Sequence, residues 1–242
     1  MRKALLISGH LRTFKDCFPS LKKNLLDVVD LDIFIHTWDQ LESTTKSWHN
    51  QHMTNKCVTE ELVCHVRELY RPKKIKIQPQ IDFGKDDTLA DANMSLNGLR
   101  NMTYGFQSVY ELLKEYEQEN KKKYDRLMKI RPDILLKHKF SEDFFNIQDD
   151  FILFFGNKSP VPPRPVPRKF YHNFRALDIM SICSNDSASE GVYGLHANFN
   201  KYYTKSTFNH SPYLDLVLDK NINFDISKEY MYGTHWEILR GS

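Results

Sequence analysis

The chemistry in this chain gathers where charged side chains interrupt apolar runs. Leu127, Met128 and Ile130 supply strand-like bulk, and the run then breaks at Arg131-Pro132-Asp133. Proline has no N–H to give to a central ladder and pushes the residue before it into extended geometry. Arg131 and Asp133 are therefore expected where a strand opens to solvent, the place where open α/β sheets bind ligands. An acid beside a guanidinium suits a metal ion and the diphosphate of a sugar nucleotide. The alternative is a surface ion pair at a strand end, which is common and weak. A second corner follows the first apolar run, at Ser8-Gly9-His10-Leu11-Arg12. Gly9 lets the backbone turn or approach a ligand closely, and Arg12 can fork onto phosphate oxygens, or else be an arginine at a helix start. Asp178, Glu229 and His235 are the remaining candidates.

His49, His52, Cys57, Cys64 and His65 lie close together, but their spacing fits no zinc-finger pattern. Cys57, Val58, Leu62 and Val66 instead share one face of a helix over about 58–69, with the cysteines expected in the core.

The elements that must position these residues follow from hydrophobic periodicity. Lys3–Ser8 is a continuous apolar run and fits a strand buried on both faces. Phe14, Cys17, Phe18, Leu21, Leu25 and Val28 recur at helical spacing over 14–29. Leu31–Trp38 gives a second strand, and a βαβ unit of this length implies a parallel pair. Lys74–Gln78 alternates charged and apolar residues, as a half-exposed strand does. A long helix is expected from about Asn97 to Asn120. Its first half carries Arg100, Asn101, Tyr104 and Gln107, which either line the site or form a solvated face. Further strands are expected at Phe151–Phe155, Leu177–Cys183 and Asn223–Ile226. Helices are expected near 140–147, over 188–203 and over Tyr213–Leu218, and the aromatic tail is expected to end in a helix. Residues 158–175 carry five prolines among basic and aromatic residues and suit a mobile loop, a lid, or a peripheral contact with anionic membrane.

Composition bounds the rest. The chain has 242 residues with 40% hydrophobic and 13% aromatic residues, enough for a sizeable core. Its formal net charge of +3 is too slight for duplex nucleic acid and suits an anionic substrate. Four cysteines without a disulfide-like spacing point to a reducing compartment. With no apolar run of about 18 residues and only a short one at the N-terminus, the expected location is cytoplasmic, with peripheral association at the inner membrane. No repeats or second core are visible, so one domain over 1–242 is expected.

Four stretches recur in order: Ile7 to Phe14, Asp32 to Trp38, Tyr124 to Asp133, and the Asp178 strand followed by Glu229 and His235. Together they resemble the small GT-A-like glycosyltransferases of bacterial capsule and lipopolysaccharide gene clusters, including the WavE-like group. The resemblance implies an α/β, Rossmann-like GT-A domain with a mostly parallel central sheet flanked by helices. Its nucleotide-binding half would be about 1–135 and its acceptor-side half about 136–242. It implies a nucleotide-sugar donor, a UDP-sugar before a GDP-sugar, and a surface glycan or lipid-linked glycan as acceptor. Mn²⁺ or Mg²⁺ is the implied cofactor. Asp133 stands at the metal-binding acid of the Asp-x-Asp motif, where Arg131 replaces the first acid. His235 stands where a further metal or diphosphate ligand sits. Ser8, Gly9, His10, Arg12, Asn101 and Arg131 would hold the nucleotide, and Asp178 or Glu229 would be the catalytic carboxylate on the acceptor side. Two rival classes are a non-catalytic glycan-binding or scaffold subunit and a nucleotidyl- or phospho-group transferase.

Overall fold

The computed structural model describes residues 1–42, 56–83, 96–156, 179–203 and 212–239. A seven-stranded sheet organises them. Its strands are β1 (Lys3–Ser8), β2 (Asp32–Trp38), β3 (Lys74–Gln78), β4 (Arg126–Ile130), β6 (Phe151–Phe154), β7 (Ser181–Ser184) and β8 (Asn223–Ile226), in the order β3-β2-β1-β4-β7-β6-β8. β1 pairs in parallel with both β2 and β4, and β2 with β3. β7 runs antiparallel to its neighbours β4 and β6, while β8 is parallel to β6. The sheet is therefore mostly parallel. A second, two-stranded sheet pairs β5 (Ile134–Leu136) with β9 (Trp236–Ile238) in antiparallel register.

Helices cover both faces, so the central strands are apolar on both sides. On one face, Ala4 and Leu6 of β1 and Phe34 of β2 pack under α3 (Leu96–Asn120) through Phe106, Val109 and Leu113. On the other, Leu5, Ile7 and Ile35 meet α1 (Phe14–Leu21) and α2 (Glu60–Tyr70) through Phe14, Leu21 and Val66. Lys129 of β4 is fully buried on the α3 face. Its ammonium lies 3.9 Å from the centre of the Tyr213 ring and 4.5 Å from that of Phe106, and these ring faces offset part of its desolvation.

Several expectations are corrected by long-range pairing. The stretch 188–203 is two helices, α4 (Ser187–Tyr193) and α5 (Phe199–Tyr202), parted by the chain around Gly194. The next helix, α6, spans Pro212–Asp219. The tail ends in strand β9 rather than a helix, because its backbone bonds pair with β5. Helix α2 begins at Glu60, and both Cys57 and Cys64 are exposed; the buried cysteines are Cys17 and Cys183. The proline segment, His49 and His52 lie outside the described residues. Among the described residues, no helix is long and apolar enough to cross a membrane.

Candidate functional site

β1 and β4 are parallel neighbours with Ile7 opposite Ile130, so the loops after Ser8 and Ile130 leave the same edge of the sheet side by side. The Gly9 backbone comes close to the Pro132 ring. Gly9 has φ +144°, and a Cβ placed there would sit 3.1 Å from Pro132 Cδ. Pro132 also ends the main-sheet pairing, so the chain swings out and restarts as β5. There the Asp133 carbonyl accepts a 2.8 Å bond from the Leu239 N–H.

This crossing turns the Asp133 side chain inward, where it is 1% exposed. Two guanidiniums close on it. Arg131 donates from Nε to Oδ1 at 2.8 Å and from Nη2 to Oδ2 at 2.6 Å. Arg12, from 121 residues earlier, donates from Nη2 to Oδ2 at 2.6 Å and from Nε at 3.2 Å. Burial alone pushes the Asp133 carboxyl up, but the charges and hydrogen bonds of Arg131 and then Arg12 outweigh it and hold it at about 2. The arginine side chains remain 14% and 21% exposed.

His10 sits beside this trio. Its Nδ1 lies 3.1 Å from the Gln40 carbonyl and its Nε2 lies 3.2 Å from the Gln80 amide nitrogen. These partners assign the proton to Nδ1. Burial lowers its pKa to about 4, with Arg12 and Arg131 adding to the effect and the Gln40 bond opposing it. At neutral pH it is an uncharged ring that spaces the loop.

Two further nucleotide-site candidates are buried in contacts within the fold. Ser8 is 4% exposed, with Oγ 3.3 Å from His36 Nδ1 under Gly105 of α3. Asn101 is also buried. Its amide brackets the Ile81 backbone, accepting from the N–H at 3.0 Å and donating to the carbonyl at 2.9 Å. It holds the segment after β3 against α3.

The ligand set implied for a metal does not come together. Both Asp133 oxygens are occupied by guanidinium donors. His235 lies at the far end of the small sheet, its carbonyl bonded to the Lys137 N–H while Asp133 is bonded to Leu239. Four residues of strand separate the two ends, about 13 Å at the usual rise. The His235 ring stacks on Tyr230 at 5.4 Å between centres, and its Nδ1 accepts the Met231 N–H at 3.1 Å. It shapes the turn before β9. Among the described residues, no group of three His, Cys, Asp or Glu side chains is placed to hold a metal ion. Mn²⁺ and Mg²⁺ require several oxygen ligands, so the described residues do not fit the implied metal. Glu229 is exposed on the chain between β8 and β9. Asp178 lies outside the described residues.

One feature of this edge was not assigned from the sequence. Trp38, at the end of β2, stacks on Tyr104 of α3 at 6.2 Å. Phe83 and His196 join Tyr104 at 6.2 and 5.2 Å. Trp38 closing an apolar strand and Tyr104 on the polar half of α3 were the visible signals. Phe83 and His196 arrive only through the fold. A groove of about 630 Å³ lies elsewhere, lined by Arg67, Arg71, Lys73, Lys74 and Glu115. It sits at the start of β3, the opposite end of the sheet from the arginine trio. Lys74 there is already paired with Glu115 and Glu119, and Lys73 with Asp32.

No protein-family model matches this chain, and no curated protein matches it.

Proposed function

We propose that this protein is a GT-A-like glycosyltransferase that moves a sugar from a nucleotide-diphosphate donor, a UDP-sugar before a GDP-sugar, to a bacterial surface-glycan or lipid-linked acceptor. The observation that carries the reading is the Arg12–Asp133–Arg131 trio at the carboxyl edge of parallel strands β1 and β4. Open α/β sheets bind nucleotides at that edge, and paired guanidiniums match phosphate oxygens. Half-buried Tyr104 and Phe83 lie at the same edge beside buried Trp38 and suit a ring-bearing ligand. A mostly parallel sheet flanked by helices fits the GT-A-like architecture that the sequence resembles.

In the reaction, the acceptor oxygen bonds to the anomeric carbon as the bond from that carbon to the diphosphate oxygen breaks. The departing electron pair stays on the diphosphate, and cationic groups aimed at it stabilise the charge. The acceptor proton passes to a carboxylate, Asp178 first and Glu229 second. Such an enzyme would work in the cytoplasm at the inner-membrane surface, where residues 158–175 could meet anionic lipid.

Thermal melting with UDP, GDP and CMP tests donor class. A ligand at a hundredfold its Kd adds about 2.7 kcal/mol of stability. Asp178→Asn and Glu229→Gln test the base. The true base should cost roughly 10² to 10⁴ in turnover, whereas an exposed Glu229 with no catalytic duty should change stability by only about 0.5 kcal/mol. Release of free nucleoside diphosphate identifies glycosyl transfer, and release of pyrophosphate identifies nucleotidyl transfer. No stabilisation by any nucleotide would defeat the proposal.

A further inference from the structure

We infer that Arg12 and Arg131, braced by Asp133, bind the donor's diphosphate in place of a metal ion, so that donor binding is metal-independent. The inference rests on the nucleotide-sugar reading above. It follows from how the three groups share solvent. The carboxylate is 1% exposed while the two arginine side chains are 14% and 21% exposed. An approaching ligand therefore meets guanidinium and not carboxylate. The trio carries two positive charges and one negative, a net charge of plus one.

The carboxylate's place in the trio is that of a brace. Asp133 engages Nε and one terminal nitrogen of each guanidinium. Two chain-distant arginines with flexible stems are thereby held in one arrangement before any ligand arrives, which lowers the ordering cost of binding. The contact of Gly9 with Pro132 keeps the two arginine-bearing loops in register. A divalent cation would have to strip both guanidiniums from Asp133 to reach an oxygen lone pair, and would leave those arginines facing it with like charge.

The test is titration calorimetry on the full chain with UDP, GDP and inorganic pyrophosphate, first in excess EDTA and then in excess Mn²⁺. The variants are Arg12→Gln and Arg131→Gln. Each leaves Asp133 one guanidinium partner, and a thermal melt checks that each folds. The expected result is a Kd for UDP or GDP and for pyrophosphate unchanged within twofold by EDTA or Mn²⁺ and weakened by added salt. Each variant should weaken binding roughly 10- to 100-fold, as loss of a charged hydrogen-bond partner does. A nucleoside diphosphate that binds only with Mn²⁺, or folded variants with wild-type Kd, would overturn the inference while leaving the transferase reading standing. Pyrophosphate bound through the arginines without metal, with no gain from the nucleoside in UDP or GDP, would uphold the anion site and sink the sugar-nucleotide reading. No binding by any probe would sink both.

Discussion

Replacing Asp133 with asparagine is the sharpest probe of the trio, because it keeps the shape and removes the charge. Wild-type Asp133 is held at about 2 against an ordinary value of 3.8. That difference is worth about 2 kcal/mol in favour of the ionised form, net of the cost of burying it. Asparagine loses this and leaves two guanidiniums, mostly shielded from water, facing each other without an anion. Removing one partner of a buried ion pair typically costs about 3–5 kcal/mol, a large fraction of the roughly 5–15 kcal/mol that holds a domain together. Urea unfolding followed by circular dichroism should show the midpoint falling with the slope unchanged. Adding Arg12→Met to Asp133→Asn removes one of the stranded charges and should restore at least about 1 kcal/mol, because residues in one network do not add independently. The charge effect also has a pH signature. The folded value lies below the unfolded one, so Asp133 stabilises the fold fully above about pH 4, and that contribution is lost progressively as pH falls from there through 2. A loss below about 1 kcal/mol for Asp133→Asn, or a double variant no more stable than the single one, would mean that the carboxylate does not brace these arginines.

Gly105→Ala should destabilise by about 1–3 kcal/mol through overpacking, although glycine to alanine inside a helix ordinarily gains up to about 1 kcal/mol. The added Cβ would lie 2.5 Å from Ser8 Oγ and 3.2 Å from His36 Nδ1, so Ser8→Ala in the same chain should relieve part of the loss; a stabilised Gly105→Ala would refute the close approach of α3. Gly9→Ala puts an L side chain at φ +144° against Pro132 and should cost about 1–3 kcal/mol in a melt; an unchanged melting temperature would mean that the loops are not in contact. His10 and His36 are lowered from 6.5 to about 4 and about 3, burial being the largest cause for both. Their folded values are depressed, so stability is full above pH 6.5, falls progressively as the unfolded rings take up protons below it, and the loss is complete once pH has fallen through 4 and 3. On cooling the pH from 7 to about 4.5, stability should drop by on the order of 2–5 kcal/mol, and His36→Asn should flatten the curve; a melting temperature constant over that range would contradict their burial as neutral rings.

What could be read ahead of the fold, and what could not, divides along sequence distance. β1, β2, β3 and α3 were legible because each carries its own periodicity, and the long helical crossover between β1 and β2 implies their parallel pairing. The tail strand β9 was not, since Trp236–Ile238 is extended only because β5 offers it an edge about a hundred residues earlier in the chain. The proline at 132 correctly marked the end of a strand, yet nothing local said that Ile134–Leu136 would join a different sheet. Cys57 and Cys64 misled because residue type predicts burial only on average, and their helix presents Val66 to the core instead. The candidate site shows the same division more sharply. Arg131, Asp133, Gly9 and Arg12 were each visible as residues at strand ends, and the fold does bring all four together. Their roles were not visible. An acid at a strand end can ligate a metal only if its lone pairs are open; here Arg131, two residues away, takes both oxygens and Arg12, 121 residues away, adds a second guanidinium on Oδ2. Local spacing therefore locates the charges and the Arg131 contact, whereas only the fold adds the second guanidinium that leaves the trio with a net positive charge.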